Sequence, residues 1–259
     1  MTVKIGLSML HCLGKPFSFL CDTLRKTEVS LVELIDDGWH TLNSRRVNKL
    51  LEIGEKHDIS YTLHAPFAAV NIAAPTRSTR RFMIKRLDKS LRFALDLNCE
   101  LMVFHSGLHT GISRFYPGED WKVNIESVRE ILTLSRKYGV QVVIENCPEP
   151  YGFILKSWEQ FSEFFDEVDE EIGLALDVGH SNISGQTIAF IEAFRKRIVH
   201  IHCHDNDGKH DLHLGVGEGT VNWEAFSDGI KEVGFQGSVI VESYSGLDDG
   251  LNVLRKLLT

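Results

Sequence analysis

Short apolar runs rich in β-branched residues recur along this chain, separated by longer segments in which apolar residues return every three or four positions. The runs fall at residues 3–8, 29–35, 59–64, 101–105, 140–145, 172–177, 198–203 and 238–242, each about the length of a buried strand. Between them, "STRRFMIKRLDKSLRFALDL" and "WKVNIESVREILTLSRKYG" carry helical periodicity. In the second, Ile125, Val128, Ile131, Leu132 and Leu134 make one apolar face, and Gly139 supplies the stop. Eight strands alternating with helices in 259 residues predict an α/β fold, a single (β/α)₈ TIM barrel spanning residues 1–259 as one domain. The competing architecture is a doubly wound open sheet, but no G-x-G-x-x-G follows the first strand. No linker rich in Pro, Gly or Ser and no low-complexity segment interrupts the alternation.

The predicted strands share a second property: from the third onward they end in polar residues. "YTLHAPF" gives His64, "MVFHSG" His105, "VVIENCP" Glu145, and "LALDVGH" Asp177 followed by His180. The seventh strand carries His202 and its following loop Asp211 and His213; the eighth ends at Glu242. In a parallel barrel all of these ends open on one face, the face that carries active sites. Imidazoles and carboxylates together, with no thiol pair among them, suit zinc, manganese or related divalent ions. Four carboxylates converging on a small mouth would otherwise repel one another. Glu145, at the centre of the ring, is placed to bridge two ions. The first two strands read as nondescript.

Residues 200–219 hold five of the chain's twelve histidines. His200, His202 and His204 alternate and project to one side of a strand. His200 lies deepest and is expected to be packed or hydrogen-bonded; His202 stands at ligand height; His204, nearer the rim, is expected to contact substrate or to stand behind a ligand, and Asn146 to contact substrate. Asp205, Asn206 and Asp207 before Gly208 read as turn residues, Lys209 and His210 as solvent-facing. Asp211 and His213 are spaced to chelate one ion, and "GVGEG" supplies the bend into a helix near Trp223.

Composition narrows the functions. The chain is 43% hydrophobic and 25% charged, the profile of a soluble protein with a substantial core. No apolar run approaches the ~20 residues that span a bilayer, and "MTVKIGLSML" reads as a first strand and not a signal peptide. A net charge of −8 argues against a protein that grips nucleic acid mainly through its phosphates. Five scattered cysteines with no CxxC pair predict reduced thiols and a cytoplasmic location. The one basic cluster, "TRSTRRFMIKR" at residues 76–86, reads as a loop leading into a solvated helix face, with phosphate contact as the alternative.

The motifs "HAPF…NIA", "FHSG", "IEN", "LDVGH", "HCHDND…HDLHLGVGEGTVNW" and "VES" resemble, in order, those of the xylose isomerase-like TIM-barrel superfamily, over roughly three quarters of the chain. That superfamily includes sugar isomerases and epimerases and also endonuclease IV. The resemblance implies a Glu–Asp–His–Glu site for one divalent ion, matched by Glu145, Asp177, His202 and Glu242. In the epimerase branch the two glutamates also move the substrate's proton. It implies further, from the three-zinc endonuclease site, that His64, His105, His180, Asp211 and His213 are additional ligands. His180, Asp211 and His213 are expected to form an ion site apart from the pair His64 and His105.

Two enzymatic functions follow. The first is a metal-dependent isomerase or epimerase of a sugar, sugar phosphate or related polyol, with Glu145 and Glu242 as the acid–base pair and one to three zinc or manganese ions. The second is an endonuclease IV-like enzyme hydrolysing DNA at abasic sites. A catalytically silent ligand-binding barrel is a third alternative. No assembly signal is legible, and no membrane partner is expected.

Overall fold

The computed structural model describes residues 3–258. Eight parallel strands close into a barrel in sequential order, β1 Lys4–Ser8, β2 Leu31–Ile35, β3 Ser60–His64, β4 Leu101–His105, β5 Gln141–Glu145, β6 Gly173–Asp177, β7 Ile198–Cys203 and β8 Ser238–Val241. Each expected strand is present, shorter by one or two residues at some ends. β1 pairs with β8 from Lys4↔Ser238 to Leu7↔Val241, which closes the sheet.

The helices that follow the strands are α1 Phe17–Leu24, α2 Ser44–His57, α3 Arg77–Asp96, α4 Glu119–Tyr138, α5 Trp158–Val168, α6 Val178–Ile183, α7 Thr187–Phe194, α8 Trp223–Glu232 and α9 Leu247–Leu258. Their ends carry local signals. α4 stops at Gly139, whose φ of 66° suits a residue without a Cβ. α5 opens on a capping box, Ser157 with Gln160. The main core lies between helices and sheet, where Phe161, Phe164, Phe165, Phe190 and Phe194 pack as a ring cluster. Inside the barrel, Leu101, Val103, Val143 and Ala175 make a small separate cluster against Val199.

The basic stretch at residues 76–86 departs from expectation: the helix begins at Arg77, with only Thr76 before it as cap. Nor is the face wholly solvated. Arg86 turns inward, donating to Asp36 Oδ2 at 2.8 Å and to the Asp36 carbonyl at 2.6 Å. Asp36 is fully buried just past β2, so this ion pair docks α3 onto the barrel.

Candidate metal centre at the barrel mouth

The C-terminal strand ends deliver their polar side chains to one place. Glu145 and Asp177 are the last residues of β5 and β6, and Asp177 pairs in register with His202 on β7. Asp177 also caps α6, accepting from the His180 backbone N–H at 2.7 Å, and this turn presents His180 beside its own cap. Glu242 follows the last residue of β8 and donates its backbone N–H to the Cys203 carbonyl at 2.9 Å, which holds it at the end of β7. A two-residue antiparallel bridge, Asp205 with Leu214, folds the loop after β7 back over the mouth.

Among the described residues the ligand-type atoms gather into four groups, three of them at the mouth and one, Glu33 with His200 and His202, deeper in the barrel. Glu145, Asp177, His202 and Glu242 form the first, Glu145 with His64 and His105 the second, and His180, His204, Asp211 and His213 the third. Within each group the ligand atoms lie within 4.8 Å of one another. Glu145 belongs to two groups: its Oε1 is 2.9 Å from His202 Nδ1, while its Oε2 is 3.2 Å from His64 and 2.9 Å from His105. Glu242 Oε2 stands 3.3 Å from the same His202 Nδ1.

Hydrogen bonds fix which nitrogen each ring offers. His64, His180 and His213 donate Nδ1–H to the backbone carbonyls of Ala65, Asn146 and Glu242, at 2.8, 2.8 and 2.7 Å. Their Nε2 atoms therefore face the carboxylates, the outer-shell arrangement that orients metal-binding histidines. His213 adopts φ 46°, a left-handed conformation that costs a non-glycine residue of order 1–3 kcal/mol and is held here by the loop. Gly179 is required for close approach, since a Cβ there would lie 2.1 Å from His204 Cε1. Among the described residues, Asp177 Oδ2, His204 Nε2 and Asp211 Oδ1 are buried without a hydrogen-bond partner. Such orphaned atoms are costly unless something else, such as a cation, satisfies them, so the donor set fits divalent ions.

A family model described as "Xylose isomerase-like TIM barrel" matches residues 21–257. The chain belongs to this family. It is similar to a solved structure of a D-tagatose 3-epimerase-like protein, with a TM-score of 0.93 and 25% identity, covering 99% of this chain and 97% of that one. It is 21% identical to D-psicose 3-epimerase of Ruminiclostridium cellulolyticum, over 88% of this chain and 78% of the relative. It is also 25% identical to probable endonuclease 4 of Aquifex aeolicus, over 66% of this chain and 65% of the relative.

In this xylose isomerase-like barrel, burial and charge pull the site's groups apart. Burial pushes the Glu145 carboxyl up, but His202 and His105 outweigh it and hold it well below the usual carboxylate range. Burial raises Glu242; His202 opposes and Glu145 adds, leaving it above that range. Burial also disfavours charge on His64, yet Glu145 lifts it to about 9; Asp177 and Asp211 lift His180 to about 10 in the same way. Burial dominates at His105, which is lowered. Buried carboxylates thus borrow protons on neighbouring imidazoles, a positive charge that bound cations would supply instead.

Three placements differ from the reading of the sequence. His204 follows the end of β7 but is fully buried, stacked on His213 at 3.9 Å between ring centroids, and its Nε2 is 3.1 Å from Asp177 Oδ1. It stands with the third ligand group and not at the rim. Asn146, expected to meet substrate, is buried with its amide engaged: Nδ2 donates to the Asp177 carbonyl at 3.0 Å and Oδ1 accepts the Asp177 N–H at 2.7 Å. Asp205 and Asn206 are more than turn residues. Asp205 is buried and accepts from the Val221 and Gly217 N–H groups and from Trp223 Nε1, while Asn206 Nδ2 donates to the Gly179 carbonyl at 2.7 Å.

One functional-site residue was missed. Glu33, in the middle of β2, is fully buried inside the barrel and contacts His200 and His202 at 2.9 and 2.8 Å. His200 is hydrogen-bonded as expected, also meeting Ser238 Oγ at 2.6 Å. The signal was a single carboxylate inside the otherwise apolar run "LVELI".

Proposed function

We propose that this chain is a divalent-metal-dependent isomerase or epimerase of a sugar, sugar phosphate or related polyol. The observation that carries the reading is the pair Glu145 and Glu242. Their carboxylates approach one nitrogen, His202 Nδ1, at 2.9 and 3.3 Å, while their environments push the two acids in opposite directions. Two neighbouring carboxyls with separated proton affinities are what an acid and a base need at one pH.

Glu145, Asp177, His202 and Glu242 would hold the ion, zinc or manganese. When bound, it draws density from adjacent substrate oxygens and acidifies the C–H beside a carbonyl. One glutamate then removes that proton, and the other returns a proton to the opposite face of the same carbon. Aromatic rings stand over the ligands: Phe67 and Phe153 lie 5.7 and 5.4 Å from the His105 ring, and Tyr244 lies 5.0 Å from His213. Such faces suit the C–H surface of a carbohydrate. The similarity to proteins named as tagatose and psicose 3-epimerases supports the same substrate class. Five buried free thiols fit a cytoplasmic enzyme.

A second reading, zinc-dependent cleavage at abasic DNA, is favoured by the two further ligand groups that share or adjoin Glu145 and Asp177. A panel of free and phosphorylated ketoses, incubated with zinc- or manganese-loaded protein and separated chromatographically, tests the first reading. An epimeric or isomeric product supports it. Cleavage of an abasic oligonucleotide, with no sugar converted, promotes the second.

A further inference from the structure

His202 is anchored differently from its neighbours. His64, His180 and His213 lean on neutral backbone carbonyls through Nδ1 and turn Nε2 to the carboxylates. His202 is reversed: Nδ1 faces Glu145 and Glu242, and Nε2 points into the barrel at Glu33 Oε1, 2.8 Å away. Its anchor is a carboxylate and not a peptide oxygen.

That carboxylate is itself fixed. Glu33 Oε2 accepts from Thr62 Oγ1 at 3.1 Å and from His200 Nε2 at 2.9 Å, and His200 in turn meets Ser238 Oγ. Glu33, Thr62, His200, His202 and Ser238 are all buried. Glu33, His200 and His202 lie close enough to form a ligand-type group; His200 Nε2 is hydrogen-bonded to Glu33 Oε2, His202 Nε2 lies 2.8 Å from Glu33 Oε1, and the two Nε2 atoms are 3.2 Å apart. Glu33 Oε1 makes no hydrogen bond among the described residues and meets His202 as an ion pair.

We infer that Glu33 is a positioning residue: by setting its carboxylate against Nε2 of His202 it commits Nδ1 as the liganding nitrogen of the Glu145–Asp177–His202–Glu242 cluster and strengthens its hold on a divalent cation. The inference rests on the proposal that this cluster binds a cation. A carboxylate behind a ligating imidazole fixes its tautomer and raises its basicity, and its loss typically costs about 10–100-fold in metal affinity. The third ligand group has no contact of this kind with Glu33, which makes it an internal control.

The test is a zinc titration of the metal-free full chain against a chromophoric chelator. It compares the parent, Glu33→Gln, Glu33→Asp and Glu242→Gln, each also in a His213→Ala background that removes a ligand of the third group. Gln keeps the shape and an oxygen for His202 but removes the charge; Asp keeps the charge and draws it back by one methylene. The expected result is zinc affinity weakened about 10–100-fold in Glu33→Gln and less in Glu33→Asp, in both backgrounds, with the metal-free melting temperature close to the parent's. Unchanged affinity in a folded Glu33→Gln overturns the inference; if that variant does not fold, unchanged affinity in Glu33→Asp does so. If Glu242→Gln loses no zinc relative to the parent, the cluster is not an ion site and the underlying reading fails with the inference.

Discussion

On β4, Val103 and His105 stand two residues apart on the same face of the strand. Val103 packs into a dry floor with Leu101, Val143 and Ala175, whereas His105 meets the Glu145 carboxylate at 2.9 Å. β5 repeats the contrast with Val143 and Glu145, and β6 with Ala175 and Asp177. The Leu101, Val103, Val143 and Ala175 side chains are held by packing and carry no polar atom to satisfy. The mouth is held by charges that cannot all be satisfied by one another, as the orphaned oxygens of Asp177 and Asp211 show. The same strands therefore buy rigidity at one end and carry chemistry at the other.

Substitutions at the two ends should separate along this line. The largest effect is expected at the mouth: Glu145→Gln and Glu242→Gln should each lower turnover of an active sugar by about 10²–10⁴-fold, measured with metal content determined in the same samples. In the floor, Leu101→Ala should cost about 2–5 kcal/mol of unfolding free energy in urea melts, with the bound-metal count unchanged. A floor substitution that expelled metal would break the contrast. Asn146→Ala, which releases the Asp177 backbone, should cost about 1–3 kcal/mol and loosen metal at the mouth.

The smallest expected effect is one of pH. His64 and His180 are raised to about 9 and about 10 in the folded metal-free protein. An unfolded histidine titrates near 6.5. Their stabilisation is complete below that value and is lost as pH rises through about 9 to 10. The metal-free melting temperature should fall across that window, and zinc uptake at neutral pH should release protons, detected calorimetrically in buffers of different ionisation enthalpy. A metal-free protein that grows more stable from pH 7 to 10 would contradict this electrostatic picture.

The barrel was legible because each strand is a short apolar run, six of them ending in a polar residue, and because Gly139 marks a helix stop locally. The candidate ligands at the strand ends were legible for the same reason: a strand's last inward residue faces the mouth whatever surrounds it. Glu33 was not, since in "LVELI" nothing local tells whether a lone carboxylate faces water or two buried histidines on a strand 167 residues away. His204 lies deeper than the rim position read for it, though against the candidate ligand Asp177, and Asn146 is turned to the β6 backbone, because their surroundings depend on the loop after β7 and on backbone groups of β6, contacts that spacing does not encode. Asp205 likewise becomes a buried staple only when Trp223 and Val221 fold back onto it.

The central claim is that Glu145 and Glu242 exchange a carbon-bound proton of a sugar, and deuterium incorporation measures this most directly. Metal-loaded protein is incubated in D₂O with the ketoses that it converts, and mass spectrometry with NMR locates the label. Deuterium is expected at the carbon beside the carbonyl, and it should be lost in both Glu145→Gln and Glu242→Gln even where metal is retained. Full exchange in both metal-bearing variants would contradict it. So would conversion of a sugar by the parent protein without any label entering.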